Sequence, residues 1–339
     1  MIITEAELDE VMARPDAPLV DYIRQVQSPL VILGAGGKMG PSLAVQALNA
    51  ARAAKHPLEV VAVSRFSDAA ARQWLEQRGV RALSLDLMER ASYAQLPDSA
   101  NVLYLIGLKF GTTRSPASTW ATMALPPALA CERYAGARMV ALSSGNVYPF
   151  APAGGPGAVE DADLTPLGEY SNACVARERI FEYSAARHDV ALALVRLFYA
   201  VDLRYGVLLD IAEKVWAGRA VDLTTGYLNC IWQGDANAIV TCALGQAARP
   251  PFVFNLTGTQ RLSVRELAVQ LGELLGRAPL FSGSEAASAL TGDTARMQAV
   301  FGRPPTTLDW LLRQTAAWVM AGGRTLNKPT HFDTRDGRY

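Results

Sequence analysis

Histidine and cysteine are scarce in this chain of 339 residues, with three of the first and four of the second. His56, His188 and His331 stand far apart, none with a second ligand at helical spacing, which argues against a metal enzyme. Cys131, Cys174, Cys230 and Cys242 show no paired spacing, so neither a disulfide framework nor a zinc site is expected and all four read as reduced thiols. An excess of either charge is missing too, because 32 Lys and Arg balance 32 Asp and Glu. Such a chain lacks the electrostatic footprint for nucleic acid or an anionic membrane. No apolar run approaches the roughly 20 residues that a bilayer crossing needs. The first fifteen residues carry Glu5, Glu7, Asp9 and Glu10 where a signal peptide would be basic and then apolar. The expectation is a cytoplasmic protein with neither nucleic acid nor membrane as a partner.

What is present is a rhythm. Half the residues are apolar, and from Leu30 onward short apolar strands alternate with helical stretches. Strands are expected over 30–33, 58–63, 81–85, 101–106, 138–142 and 190–195, with helices after residue 40 and over 68–78, 116–134 and 170–187. This order implies an α/β, Rossmann-type, doubly wound parallel sheet. Ahead of it, Thr4-Glu5-Ala6-Glu7 has the form of a capping box, and residues 1–28 read as an appended helical arm. Residues 29–198 form the expected sheet domain, with returns near 233–256. Residues 199–325 are mainly a smaller substrate lobe and 326–339 a polar tail.

The first expected strand runs directly into Gly34-Ala35-Gly36-Gly37-Lys38-Met39-Gly40. Small residues there allow a tight turn, a close approach to a pyrophosphate and packing of the following helix, whose N-terminal amides would hold the phosphates. These seven positions read as a dinucleotide site. A site built for NAD places a carboxylate at the end of the second strand to accept both ribose hydroxyls. This chain has Ser64 and Arg65 instead, which suit a 2′-phosphate, so NADP is expected, with NAD the alternative; Arg65 also reads as an ordinary solvated loop residue. Asp86 and Leu87, past the third strand, are candidates to meet the adenine.

The spacing of Gly34, Gly37 and Gly40, then Ser143-Ser144-Gly145-Asn146-Val147-Tyr148, then Tyr170, resembles the extended short-chain dehydrogenase/reductases, the NAD-dependent epimerase/dehydratase family. The likeness spans about 29–320 and takes in Gly107-Leu108-Lys109, Glu160, Pro166, Glu178 and Arg196-Leu197-Phe198. It implies an oxidoreductase or epimerase in which Ser144 orients a substrate oxygen and Tyr170 passes a proton while hydride moves to or from the nicotinamide. It also places Gly107 and Phe198 beside the cofactor, and it implies a homodimer through helices over 117–134 and 170–187.

The family pattern Tyr-x-x-x-Lys is broken here, since Cys174 stands four residues after Tyr170. A free phenol has a pKa of about 10, so the missing ammonium matters. Lys109 and Arg177 are the candidate replacements, Lys109 the better placed. The resemblance implies an Arg-Asp pair whose arginine grips a nucleotide diphosphate, and this chain has Asn229-Cys230 there, in Leu228-Asn229-Cys230-Ile231-Trp232, which speaks against such a substrate. The expected substrate is therefore a small hydroxy or keto compound, such as a sugar or sugar acid, met by Ser144, Asn146, Tyr199, Arg204, Asn229 and Trp232. A dinucleotide-binding redox sensor without turnover is the alternative.

Overall fold

Seven strands line up in one sheet, every pair parallel. The structure, a computed structural model, describes residues 1–108, 114–328 and 330–338. In chain order the strands are β1 (Leu30–Leu33), β2 (Val60–Ser64), β3 (Arg81–Ser84), β4 (Asn101–Tyr104), β5 (Arg138–Ser144), β6 (Ala191–Leu197) and β7 (Phe252–Leu256). Their order across the sheet is β7-β6-β5-β4-β1-β2-β3. The order reverses between β1 and β4, and in such sheets ligands bind in the crevice that this reversal opens at the carboxyl ends of the strands. The central strands are apolar on both faces because helices cover both.

The helices are α1 (Glu5–Met12), α2 (Ala17–Tyr22), α3 (Gly40–Ala53), α4 (Ala69–Gln77), α5 (Pro116–Arg133), α6 (Glu169–Arg187), α7 (Val207–Trp216), α8 (Gln233–Cys242), α9 (Val264–Leu275), α10 (Ala295–Phe301) and α11 (Leu308–Met320). Local chemistry sets their ends. The hydroxyl of Thr4 caps α1 in a full capping box, Asp68 caps α4, Ser263 caps α9, and left-handed Gly276 ends α9.

Residues 1–28 hold α1 and α2, which pack into the cores rather than hanging free. Leu19, Ile23 and Val26 share a core with Leu30 and Ile32 of β1. Leu8 and Met12 sit in the second core, made by α7, α9 and α11. In the later part of the chain α8 packs on α3 and β7 extends the sheet beside β6. The tail is tied down at several points. Phe332 is buried in the second core, Arg335 donates to Ser288 and lies over the Phe150 ring, and Gly337 presses on Leu167 and Gly168. Among the described residues no helix is long and apolar enough to cross a membrane, and no cluster of side chains is arranged to hold a metal.

Candidate active site

The glycine turn is shaped by contacts that tolerate no side chain. Gly34 has φ +82°, and a Cβ there would lie 2.7 Å from the Ile106 amide, so the ends of β1 and β4 are pressed together. A Cβ on Gly40 would overlap the backbone of Ala35, which closes the start of α3 onto the turn. At Gly36 it would come 2.5 Å from the Ser64 hydroxyl, so the end of β2 abuts the same turn. Gly37 differs: the nearest atom to a Cβ is 3.5 Å away. Its space is kept clear, while the N-terminus of α3 has no side-chain cap. Uncapped amides above an open glycine fit a dinucleotide pyrophosphate.

Several expected cofactor residues are otherwise engaged. The Lys38 ammonium donates to the Ala200 carbonyl at 2.7 Å and lies 4.4 Å from the Tyr205 ring centroid. It clamps the turn to the second half of the chain, so its side chain is not aimed at phosphate. Met39 and Leu87 are buried in the cores flanking the sheet. Asp86 accepts from the Met88 amide and so shapes its own turn. Arg65 is exposed at the end of β2, its carbonyl held by Ser84. Phe66, which sequence reading passed over, takes φ +46° and brings its ring within 3.7 Å of a Cβ on Gly36. Gly107 follows β4 at the crevice. The Phe198 ring fills the gap between Gly145 and Gly292 and stacks on Tyr148, making it a wall of the site's floor.

Ser144 ends β5 and Tyr170 lies in the first turn of α6, and the Ser144 side chain is near enough to the phenol to favour its ionised form. Ser144 Oγ also accepts from the Asn146 amide at 3.1 Å, which fixes its rotamer and brings Asn146 alongside. Burial pushes the Tyr170 phenol well above its ordinary range; Cys174 pushes the same way, while Arg177 and Ser144 oppose. Tyr170, Cys174 and Arg177 recur at spacings of four and three, which puts them on one face of α6. Lys109 lies outside the described residues.

Behind this pair runs a buried polar network. Arg196 Nη2 is 2.8 Å from Glu178 Oε2, the Ser143 hydroxyl donates to Glu178, and Arg196 Nη1 donates to Tyr148 Oη at 2.7 Å. Tyr148 donates on to Asn255, whose amide donates to Glu160 at 2.9 Å. Pro166 accepts from Asn172 ahead of α6. These residues lock β5, β6 and β7 to α6, holding Ser144 and Tyr170 at fixed positions.

The second half corrects the expected substrate set. Arg204 pairs with Asp9 at 3.0 Å and with Asp202 at 3.4 Å, so its charge anchors the N-terminal arm. Asn229 is buried and holds both backbone groups of Gly292. Trp232 is buried edge-on against Trp310 in the second core. All three are architecture. Tyr199 begins the short strand Tyr199–Val201, paired with Cys230–Trp232 just past the end of β6.

The family model of the NAD-dependent epimerase/dehydratases matches residues 30–202, just over half of the chain. This chain belongs to that family. It is an enzyme of the NAD-dependent oxidoreductase and epimerase class, with a nicotinamide dinucleotide as cofactor. No curated protein matches this family member. Solved structures do. It resembles MoeE5 in complex with UDP-glucose and NAD at 22% identity and a TM-score of 0.68, over 87% of this chain and 99% of that one. The Thermus thermophilus UDP-glucose 4-epimerase in complex with NAD is 16% identical, with a TM-score of 0.69 over 86% and 99%. The Bacillus cereus UDP-glucuronic acid 4-epimerase in complex with NAD is 15% identical, with a TM-score of 0.72 over 86% and 96%. The expected exclusion of nucleotide sugars is overturned, because proteins of this architecture act on UDP-sugars. That exclusion leaned on the residue types at 228–232, where Asn229 and Trp232 serve packing and are silent about a diphosphate.

Proposed function

We propose that this epimerase/dehydratase-family enzyme epimerises a nucleotide sugar, oxidising one carbinol carbon and reducing it again from the other face. The observation that carries the reading is the placement of Ser144 at the end of β5 and Tyr170 in the first turn of α6, both at the carboxyl ends of the strands beside the glycine turn. Bound there, the dinucleotide supplies a hydride acceptor and donor. Ser144 Oγ donates to the substrate oxygen as negative charge develops on it. Tyr170 Oη takes the hydroxyl proton as the carbonyl forms and returns it when the alcohol is remade. The buried network through Glu178, Arg196 and Tyr148 keeps both groups in register. Incubation with UDP-hexoses and UDP-hexuronates, followed by NMR of the sugar, tests the reading. An epimeric product supports it, and no turnover of any nucleotide sugar by dinucleotide-loaded protein refutes it.

The same proposal takes the dinucleotide as one bearing a 2′-phosphate. Its support is the chemistry of the end of β2, where Ser64 and exposed Arg65 stand and a carboxylate does not. Affinities for NADP and NAD, and their change in Arg65→Glu, decide it. We take the chain to pair with a second copy through α5 and α6, which pack on each other and leave Trp120, Leu125 and Tyr183 exposed. Light scattering tests that, a monomer mass rejecting it.

A further inference from the structure

The site holds a buried cation that has no carboxylate partner among the described residues. Arg177 is 5% exposed, yet its Nη1 meets only the Ile106 carbonyl and the Met123 sulfur, each at 3.3 Å, among the described residues. Its Nε is buried without a hydrogen-bond partner. Glu178, the next residue, is committed to Arg196. A guanidinium taken out of water in this way is expensive unless something else uses its charge. Three neutral acids beside it gain by ionising next to a cation: Tyr170 and Cys174 on α6, and Tyr104 on β4, whose own hydroxyl is buried without a partner. Burial works against the charge on Arg177, while Cys174, Tyr170, Tyr104 and Glu178 together hold it above the ordinary range. The Ile106 carbonyl past β4 and the Met123 sulfur on α5 complete the surroundings. The guanidinium also borders the cofactor crevice, since a Cβ on Gly107, just past β4, would be 3.2 Å from Nη1.

We propose that Arg177 takes over the task of the missing lysine: its guanidinium, two helical turns past Tyr170, is the charge against which Tyr170 gives and takes its proton. A guanidinium stays charged in an apolar pocket where an ammonium readily gives up its proton, and the longer side chain reaches from the next turn of α6 what a lysine at position 174 reaches directly. The small thiol of Cys174 leaves room for that reach. Arg177 acts through Tyr170, as a positioning residue.

This rests on the reading of Tyr170 as the proton carrier, and the test separates the two. In the dinucleotide-bound protein carrying ring-fluorinated tyrosine, whose more acidic phenol brings the ionisation of this buried position into readable range, the 19F signal of residue 170, assigned with Tyr170→Phe, is followed against pH. Arg177→Met is expected to move its ionisation up by about 1 to 3 pH units, Arg177→Lys to move it less, and Cys174→Lys in the Arg177→Met background to bring it back. The activity profile of any nucleotide-sugar reaction should move by the same amount. Arg177→Met should melt no lower than the parent, because it removes a buried charge that lacks a carboxylate partner. The proposal is overturned if the Tyr170 curve is unchanged in Arg177→Met, if Lys109→Met moves it instead, or if melting drops sharply while the curve stays put. Because the NMR curve needs no substrate, failure of the proposed substrate class leaves it readable.

Discussion

Arg196 and Glu178 form a forked ion pair inside the protein, with Nε 3.2 Å from both carboxylate oxygens and Nη2 2.8 Å from one of them. Neither is more than 4% exposed. Removing one partner strands the other charge, so Glu178→Ala should cost about 3–5 kcal/mol, and Glu178→Leu with Arg196→Met together should cost much less. Urea unfolding of the two proteins checks this. Equal losses would show that the pair matters for shape and not for charge.

Two glycines of the same turn should respond in opposite ways. Gly34→Ala places a Cβ at φ +82° and against Ile106, so it loses stability by at least the roughly 1–2 kcal/mol of left-handed backbone. Gly37→Ala meets nothing closer than 3.5 Å, so it should fold normally and lose dinucleotide affinity by about tenfold or more. Melting curves and titration calorimetry on both variants are the measurement.

Tyr170→Phe should lower turnover by about 10²- to 10⁴-fold and Ser144→Ala by about 10²- to 10³-fold. Dinucleotide affinity should hardly change in Tyr170→Phe. Single-turnover rates with bound cofactor read the chemical step directly, and a Tyr170→Phe protein at full speed would move the proton transfer elsewhere.

Asp235 gives a pH signature in stability. Burial, with a smaller push from Asp16, raises its carboxyl from the ordinary 3.8 to about 6, against the opposing hydrogen bonds from Thr306. Between about pH 4 and 6 the folded protein keeps a proton that the unfolded chain has released, so stability falls as pH rises through that window. The whole effect is at most about 3 kcal/mol. Urea stability of the parent relative to Asp235→Asn should therefore be lower at pH 7 than at pH 4.5, and a constant difference would rule it out.

The sheet was readable because its signals are local. Apolar runs such as Leu30–Leu33 and turn glycines such as Gly34 keep their meaning whatever surrounds them. Ser144 and Tyr170, proposed here as the reacting pair, were singled out by their spacing. Arg204, Asn229 and Trp232 were not, because a polar or aromatic side chain announces what it can bind and not which neighbour it meets. Asp9 and Gly292, the partners that claim Arg204 and Asn229, lie 195 and 63 residues away along the chain. The arm misled for a similar reason: Leu8 and Met12 show the same four-residue spacing whether their helix is docked or dangling. Arg177 stood in plain view as a charge on α6, but only the fold shows that it is buried beside Tyr170.

Gly168, immediately before α6, fits so closely against Gly337 that a Cβ on either would strike the other's backbone. The residue that must be placed for Tyr170 to be presented is thus packed by a segment almost 170 positions later. Whatever loosens or displaces the stretch around Gly337 is thereby coupled to how Tyr170 is presented.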